Sequence, residues 1–305
     1  MAEKAVSEGV RVLALQAAGW GAPASEDIRK NVAQLARWTD EQLGQDGADL
    51  VVLPELSTTP YFAIRRDQRF FDWAEPIPGR ATELFGDIAA KHHATIVLPL
   101  FERAPDGRYH NAAVVLGPDG ALIAGHGGGM EFHHYRKCHV PSVDNPPDTV
   151  ACEDHYFSPG DGFPVFEIPK ARIGVLICFD RWFPEAWRML MFEGAQIVVV
   201  PMVAWGFVEG PYLAMLQSRA VENAVFVVSC NRSAYEELDG VAMPNFGRSL
   251  VLGPDGRIIA SADGNDGERA VPATLDLSEI ERQRELLPLW RYRRADLYGD
   301  VDKWR

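Results

Sequence analysis

Cysteine is scarce in this chain: four among 305 residues, Cys138, Cys152, Cys178 and Cys230, with no Cys-x-x-Cys pair. That is too sparse for a disulfide scaffold and fits a reducing compartment. No apolar run approaches the roughly 20 residues of a membrane helix. The opening MAEKAVSEG has no signal-peptide core, so the expected location is cytoplasmic. Positive charge is in the minority, 30 Lys and Arg against 43 Asp and Glu for a formal charge of −13. Nucleic acid and anionic membranes are thereby disfavoured as main partners. Low-complexity segments and interdomain linkers are also missing. The 47% hydrophobic content is then expected to build one domain over residues 1–305. A small-molecule enzyme fits this profile.

Strand and helix patterns alternate along the chain. Val10 to Gln16 reads as a strand, and Ile28 to Leu43 carries apolar residues at helical spacing. Asp49 to Pro54 is a short buried strand followed at once by Glu55; Ala81 to His92 is a helix and Ala94 to Phe101 a strand. Ser249 to Ala260 repeats the strand, Gly-Pro-Asp-Gly, strand pattern of Val115 to Ala124, which predicts two similar hairpins. Ile173 to Ile177 is an apolar run ending at Cys178, with a helix opening at Pro184. Ala195 to Pro201 and Val225 to Asn231 are further strands around a helix, Leu213 to Asn223. Buried sheets with helices outside follow from this order.

Three reactive side chains sit just beyond apolar segments or turns: Glu55, Lys137 and Cys178. A thiol needs a base or cation to become a thiolate, and a lysine can offset charge on a tetrahedral intermediate. Each also has a plain reading, as a helix-cap carboxylate, a solvated charge and a core cysteine respectively. The residue types alone leave both readings open.

Four stretches, VVLPELSTTPYF, HYRKCHVP, HYFSPGD and ICFDRWFPEAWR, resemble the nitrilase, or carbon–nitrogen hydrolase, superfamily in the family's order and over nearly the whole chain. The resemblance implies an α/β fold, a four-layer αββα sandwich, in homodimers or larger homo-oligomers. It implies Glu55 as general base, Lys137 as oxyanion stabiliser, Cys178 as nucleophile and, more loosely, Glu153 as a second glutamate. No metal or organic cofactor is implied. The tail, about residues 286–305, resembles tails that cross a subunit interface in this family, against the plain reading of a solvated basic end.

Nitrile-hydrolysing members show Cys-Trp-Glu where this chain has Cys178-Phe179-Asp180, so the resemblance is to amidases and carbamoylases. The sequence sits between N-carbamoyl-D-amino acid amidohydrolases, N-carbamoylputrescine amidases and β-ureidopropionases. Arg181 is placed to grip a substrate carboxylate, or else to pair with Asp180 or another acid. Phe179 also supplies a backbone N–H beside the nucleophile. Tyr61, Phe62, Trp205 and Phe207 are candidates for an apolar pocket or for core. The expected activity is hydrolysis of an N-carbamoyl amino acid to amino acid, ammonia and carbon dioxide. Alternatives are an aliphatic or aryl amidase, a carbamoylputrescine-type amidase, and a non-catalytic binding module of the same fold. His133, His134, Cys138 and His139 match no common zinc spacing, and Arg219-Ala-Val-Glu222-Asn223 reads as scaffold.

Overall fold

Two β-sheets pack face to face, each covered on its outer side by a helix pair. The structure, a computed structural model, describes residues 9–18, 28–145, 149–262, 264 and 267–298. In the first sheet Val10–Gln16, Leu50–Val52 and Thr95–Arg103 run parallel. Arg269–Leu275 joins antiparallel at one side, and Tyr109–Leu116 followed by the short Tyr135–Arg136 at the other. The second sheet has the same centre: Ala171–Val175, Ile197–Met202 and Phe226–Asn231 are parallel. Antiparallel strands flank them on both sides.

Period-two alternation divides each strand between two cores. On the first strand Val12 and Ala14 face the second sheet, where they join Ile173, Val175, Ile197 and Val199. Leu13 and Leu15 face outward onto Val32, Ala36 and Leu43 of helix Ile28–Asp46 and Phe85 of helix Arg80–His92. The second sheet buries Val198 and Val200 against Trp187 and Leu190 of helix Pro184–Phe192 and Leu216 and Ala220 of helix Glu209–Asn223. The layers are thus helix, sheet, sheet, helix, the αββα sandwich expected. Gly174 lets its strand lie close under the helix, since a Cβ there would stand 2.7 Å from Leu190.

The repeated turn is real, with a difference. Asp119 and Asp255 each accept a hydrogen bond from the backbone N–H two residues on, and Gly120 and Gly256 both have φ +81. Leu250–Leu252 and Ile258–Ser261 then form a full hairpin. The first copy closes only through a Leu116–Leu122 bridge before the chain crosses to the second sheet as Gly125–Gly127. Gly125 permits that crossing, because a Cβ would meet the Phe166 ring at 2.8 Å. The expected helix from Leu213 begins four residues earlier, at Glu209. Arg219 and Glu222 form the ion pair expected within it, at 2.6 Å. The carboxyl ends of the parallel strands open on one side of the sandwich, where α/β sheets place their sites.

Candidate active site

Glu55, Val203 and Cys178 all follow carboxyl ends of parallel strands, those ending at Val52, Met202 and Val175. Lys137 follows the edge strand Tyr135–Arg136 and is tied to the neighbouring strand by its N–H to the Asn111 carbonyl, 2.8 Å. Glu153 opens the short helix Glu153–Tyr156. The structure brings these side chains together. Lys137 Nζ donates to Glu55 Oε1 at 2.9 Å and to Glu153 Oε2 at 2.7 Å, and all three residues are buried.

Ion groups this deep are costly to desolvate and survive only when fully hydrogen-bonded. Glu55 meets that condition: Oε1 also accepts from Asn111 Nδ2 at 2.7 Å, and Oε2 accepts from the Val203 N–H at 3.0 Å. Glu153 Oε1 accepts from the Tyr61 hydroxyl at 2.9 Å. Burial, and then the charge of Glu55, push Glu153 up to about 7 against the pull of Lys137 and Tyr61. Burial works to lower Lys137, but Glu153 and Glu55 outweigh it and hold the ammonium above its ordinary range.

Cys178 opens a tight turn, Cys178–Trp182, with a left-handed backbone at φ +44. That conformation is unfavourable for a side chain with a Cβ and marks a constrained position. Asp180 locks the turn. Its buried carboxylate accepts four hydrogen bonds, from the Ile177 N–H (3.1 Å), the Tyr135 hydroxyl (2.6 Å), and both the N–H and Nδ1 of His139 (2.8 Å each). Sγ donates to the Val203 carbonyl at 3.5 Å. Burial, and next Glu55, push the Cys178 thiol up to about 12, against Arg181 and Lys137.

A cavity of about 390 Å³ opens on Cys178 and Glu153, with Tyr61, Phe179, Arg181 and Trp205 in its walls. All four of the expected substrate-binding residues therefore line it. Phe62 does not: it is buried among Phe70, Phe101, Tyr156 and Phe157, so it is core. The Phe207 side chain lies outside what the structure describes. Asp180 is engaged elsewhere, and no acid among the described residues pairs with Arg181. Arg181 Nη1 donates to the Cys178 carbonyl at 2.7 Å and to Sγ at 3.4 Å. Nε is buried without an acceptor.

Three supports were not anticipated. Asn111 holds Glu55 directly; its only trace in sequence is a polar residue at the head of the apolar run Ala112 to Leu116. Val203 acts through its backbone, which leaves no trace. Arg232 Nη2 donates to the carbonyls of Glu55, Leu56 and Thr59, while Nη1 pairs with the Glu236 carboxylate, which accepts the Tyr61 N–H. The side chains around His133 to His139 turn to separate partners: His134 lies by Glu102, Cys138 bonds to backbone carbonyls, and His139 stacks on Phe183. Among the described residues no group of three or more metal-ligating side chains forms, and no helix is long and apolar enough to cross a membrane.

The chain is 33% identical to an omega-amidase of Xenopus tropicalis, over 86% of this chain and 89% of the relative. It is 32% identical to the N-carbamoylputrescine amidase of Solanum lycopersicum, over 98% and 96%. A carbon–nitrogen hydrolase from Helicobacter pylori of known crystal structure superposes with a TM-score of 0.83 at 28% identity, covering 96% of this chain and 98% of that one. Residues 12–285 match the family model described as carbon–nitrogen hydrolase. This chain belongs to the carbon–nitrogen hydrolase family of the nitrilase superfamily and is a hydrolase of carbon–nitrogen bonds other than peptide bonds.

Proposed function

We propose that the protein hydrolyses N-carbamoyl amino acids, releasing ammonia and carbon dioxide, with Cys178 as nucleophile. The observation that carries the substrate class is the free edge of Arg181. Its Nη1 is committed to Cys178, while Nε is buried with no acceptor among the described residues. That edge of a guanidinium is the one that binds a carboxylate bidentately, and Arg181 lines the cavity. A buried cation without a counter-ion is costly, and an acidic substrate would supply the missing charge.

The rest of the cavity suits an apolar side chain, with Pro141, Val143, Ala151, Trp182 and Val208 in its walls. Among the described residues its one wall carboxyl is Glu153, already taken by Lys137 and Tyr61. A substrate ending in an amine, such as N-carbamoylputrescine, finds no available acid among the described residues of that wall. The apolar wall equally favours a second reading, an amidase of neutral aliphatic or aryl amides.

In the mechanism, Glu55 Oε2 keeps an acceptor position beyond the Val203 N–H and takes the Cys178 proton. The Sγ electron pair forms a bond to the ureido carbonyl carbon, and the carbonyl π pair moves onto oxygen. Two Lys137 N–H bonds are spent on Glu55 and Glu153. The third is available to the oxyanion, together with the Phe179 N–H. The intermediate collapses, the C–N bond breaks, and Glu55 returns the proton to departing ammonia. Water activated by a carboxylate then cleaves the carbamoyl thioester to a carbamate, which loses carbon dioxide. No step requires a metal or cofactor.

A homodimer is proposed as the working state, formed through an outer helix face that exposes Met189, Phe192 and Leu213 beside Tyr292 of the tail. Residues 299–305 of that tail lie outside the described residues. Light scattering of purified protein measures the subunit number.

The deciding experiment is ammonia release from a matched panel: N-carbamoyl-D- and L-amino acids, N-carbamoyl-β-alanine, N-carbamoylputrescine, neutral amides and one nitrile. Preference for carboxylated ureides is expected. Preference for neutral amides selects the second reading; no turnover of any member with Cys178 still reactive points to a binding role.

A further inference from the structure

We propose that Arg181 is itself a catalytic residue, its Nη1 group serving as counter-cation of the Cys178 thiolate in addition to any contact with a substrate carboxylate. The proposal rests on Cys178 being the nucleophile. Its geometric basis is the pair of contacts made by one nitrogen: 2.7 Å to the Cys178 carbonyl and 3.4 Å to Sγ. The first pins the guanidinium onto the left-handed turn, and the second brings its charge to the sulfur. Trp182 backs the guanidinium, with Cζ 5.2 Å from the ring centroid.

Lys137 is the obvious candidate for this task, but its ammonium is held by two carboxyl groups. Its ammonium lies between two carboxylates, Glu55 and Glu153, with N–O distances of 2.9 and 2.7 Å. Before proton transfer that group is neutral when Glu153 is protonated and net negative when it is ionised. Its charge rises by one once Glu55 holds the thiol proton, yet the ammonium stays hydrogen-bonded to both carboxyl groups, whereas Arg181 Nη1 contacts Sγ itself. The charged and titratable groups acting on Cys178 are Glu55, Glu153, Tyr61, Lys137 and Arg181. Asp180, two residues on, directs its carboxylate to Tyr135, Ile177 and His139. Arg181 is therefore the cation at the sulfur that no described carboxylate has neutralised. Burial and Glu55 oppose ionisation of the thiol, and Arg181 is the largest opposing charge, ahead of Lys137.

During the first step the S–H proton passes to Glu55 and the electron pair stays on Sγ, within reach of Nη1. The pair then forms the S–C bond as negative charge moves to the carbonyl oxygen. Arg181 stabilises the charge at its origin and Lys137 at its destination. One guanidinium then holds the nucleophile on one side and the substrate carboxylate on the other, so that the two are set at a fixed separation.

The test is the rate of alkylation of Cys178 by iodoacetamide, an uncharged reagent, read by peptide mass in wild type, R181K and R181Q. Between about pH 7 and 9 the rate follows the thiolate fraction, so losing a charge worth about one pKa unit slows R181Q about tenfold while R181K stays within about threefold. kcat for a neutral amide should fall in parallel in R181Q with KM unchanged, while KM for a ureido acid rises in both variants. If R181Q departs from the wild-type circular dichroism spectrum, R181M takes its place. Alkylation of R181Q at the wild-type rate, or equal slowing of R181K and R181Q, would overturn the proposal. Turnover surviving in C178A would instead remove the nucleophile assignment, a separate result.

Discussion

Glu55 and Cys178 are joined through one residue: the Val203 N–H donates to Glu55 Oε2 at 3.0 Å and the Val203 carbonyl accepts from Cys178 Sγ at 3.5 Å. Carboxylate and thiol come from different sheets, and the chain just beyond strand Ile197–Met202 sets their separation. The position of Glu55 relative to Cys178 is therefore tied to the backbone of Val203.

Cys178→Ala should keep the fold and lower turnover by at least about a thousandfold, because no second thiol and no Ser or Thr hydroxyl lines the cavity among the described residues. Steady-state ammonia release with a circular dichroism control measures it. Substantial residual activity would point to a different nucleophile.

Asn111→Leu removes one of the two donors to Glu55 Oε1 while filling a similar volume. A hydrogen bond to a charged group is worth roughly 1.5–3 kcal/mol, so kcat/KM should drop about 10- to 100-fold. Unchanged kcat/KM would mean that Lys137 and Val203 suffice to orient Glu55.

Arg232→Met leaves Glu236 buried without its partner and frees three carbonyls of the loop carrying Glu55. Breaking a buried pair from one side costs about 3–5 kcal/mol, measurable by urea denaturation. The double variant Arg232→Met, Glu236→Leu should recover part of that loss. No recovery would show that the carbonyl contacts, rather than the ion pair, carry the effect.

Glu153 contributes to the pH dependence of stability. Its carboxyl is raised from 4.5 to about 7, chiefly by burial. A carboxyl that binds its proton more tightly when folded contributes stability that is present below the ordinary carboxylate pKa and lost as pH rises through about 7. The Tm of wild type should therefore fall more steeply from pH 5 to pH 8 than that of Glu153→Gln. Parallel Tm profiles would show that Lys137 keeps the ionised form without cost.

Much of this site was legible along the chain, for a local reason. A short apolar run broken by a single charged or nucleophilic residue marks a strand end, and Glu55 and Cys178 each stand at one; Lys137 was singled out with them, and the family motifs then added Glu153. Tyr61 and Trp205 line the cavity as expected, whereas Phe62, adjacent to Tyr61, belongs to the aromatic core. Composition cannot separate those two neighbours, because both positions are buried and only the direction of the side chain differs.

By itself the sequence determined the alternation of strands and helices, the two Gly-Pro-Asp-Gly turns and which residues are candidates for the chemistry, all properties of residues near one another in the chain. Tertiary structure decided which partners those groups meet. Asp180 pairs with His139 and Tyr135 rather than with Arg181, and so leaves Arg181 free to face Cys178 and the cavity. Lys137 became a bridge between carboxylates 82 residues before it and 16 after it. Such pairings depend on how two sheets close against each other, and the energy of a buried charge is fixed by whatever that closure brings within about 3 Å of it.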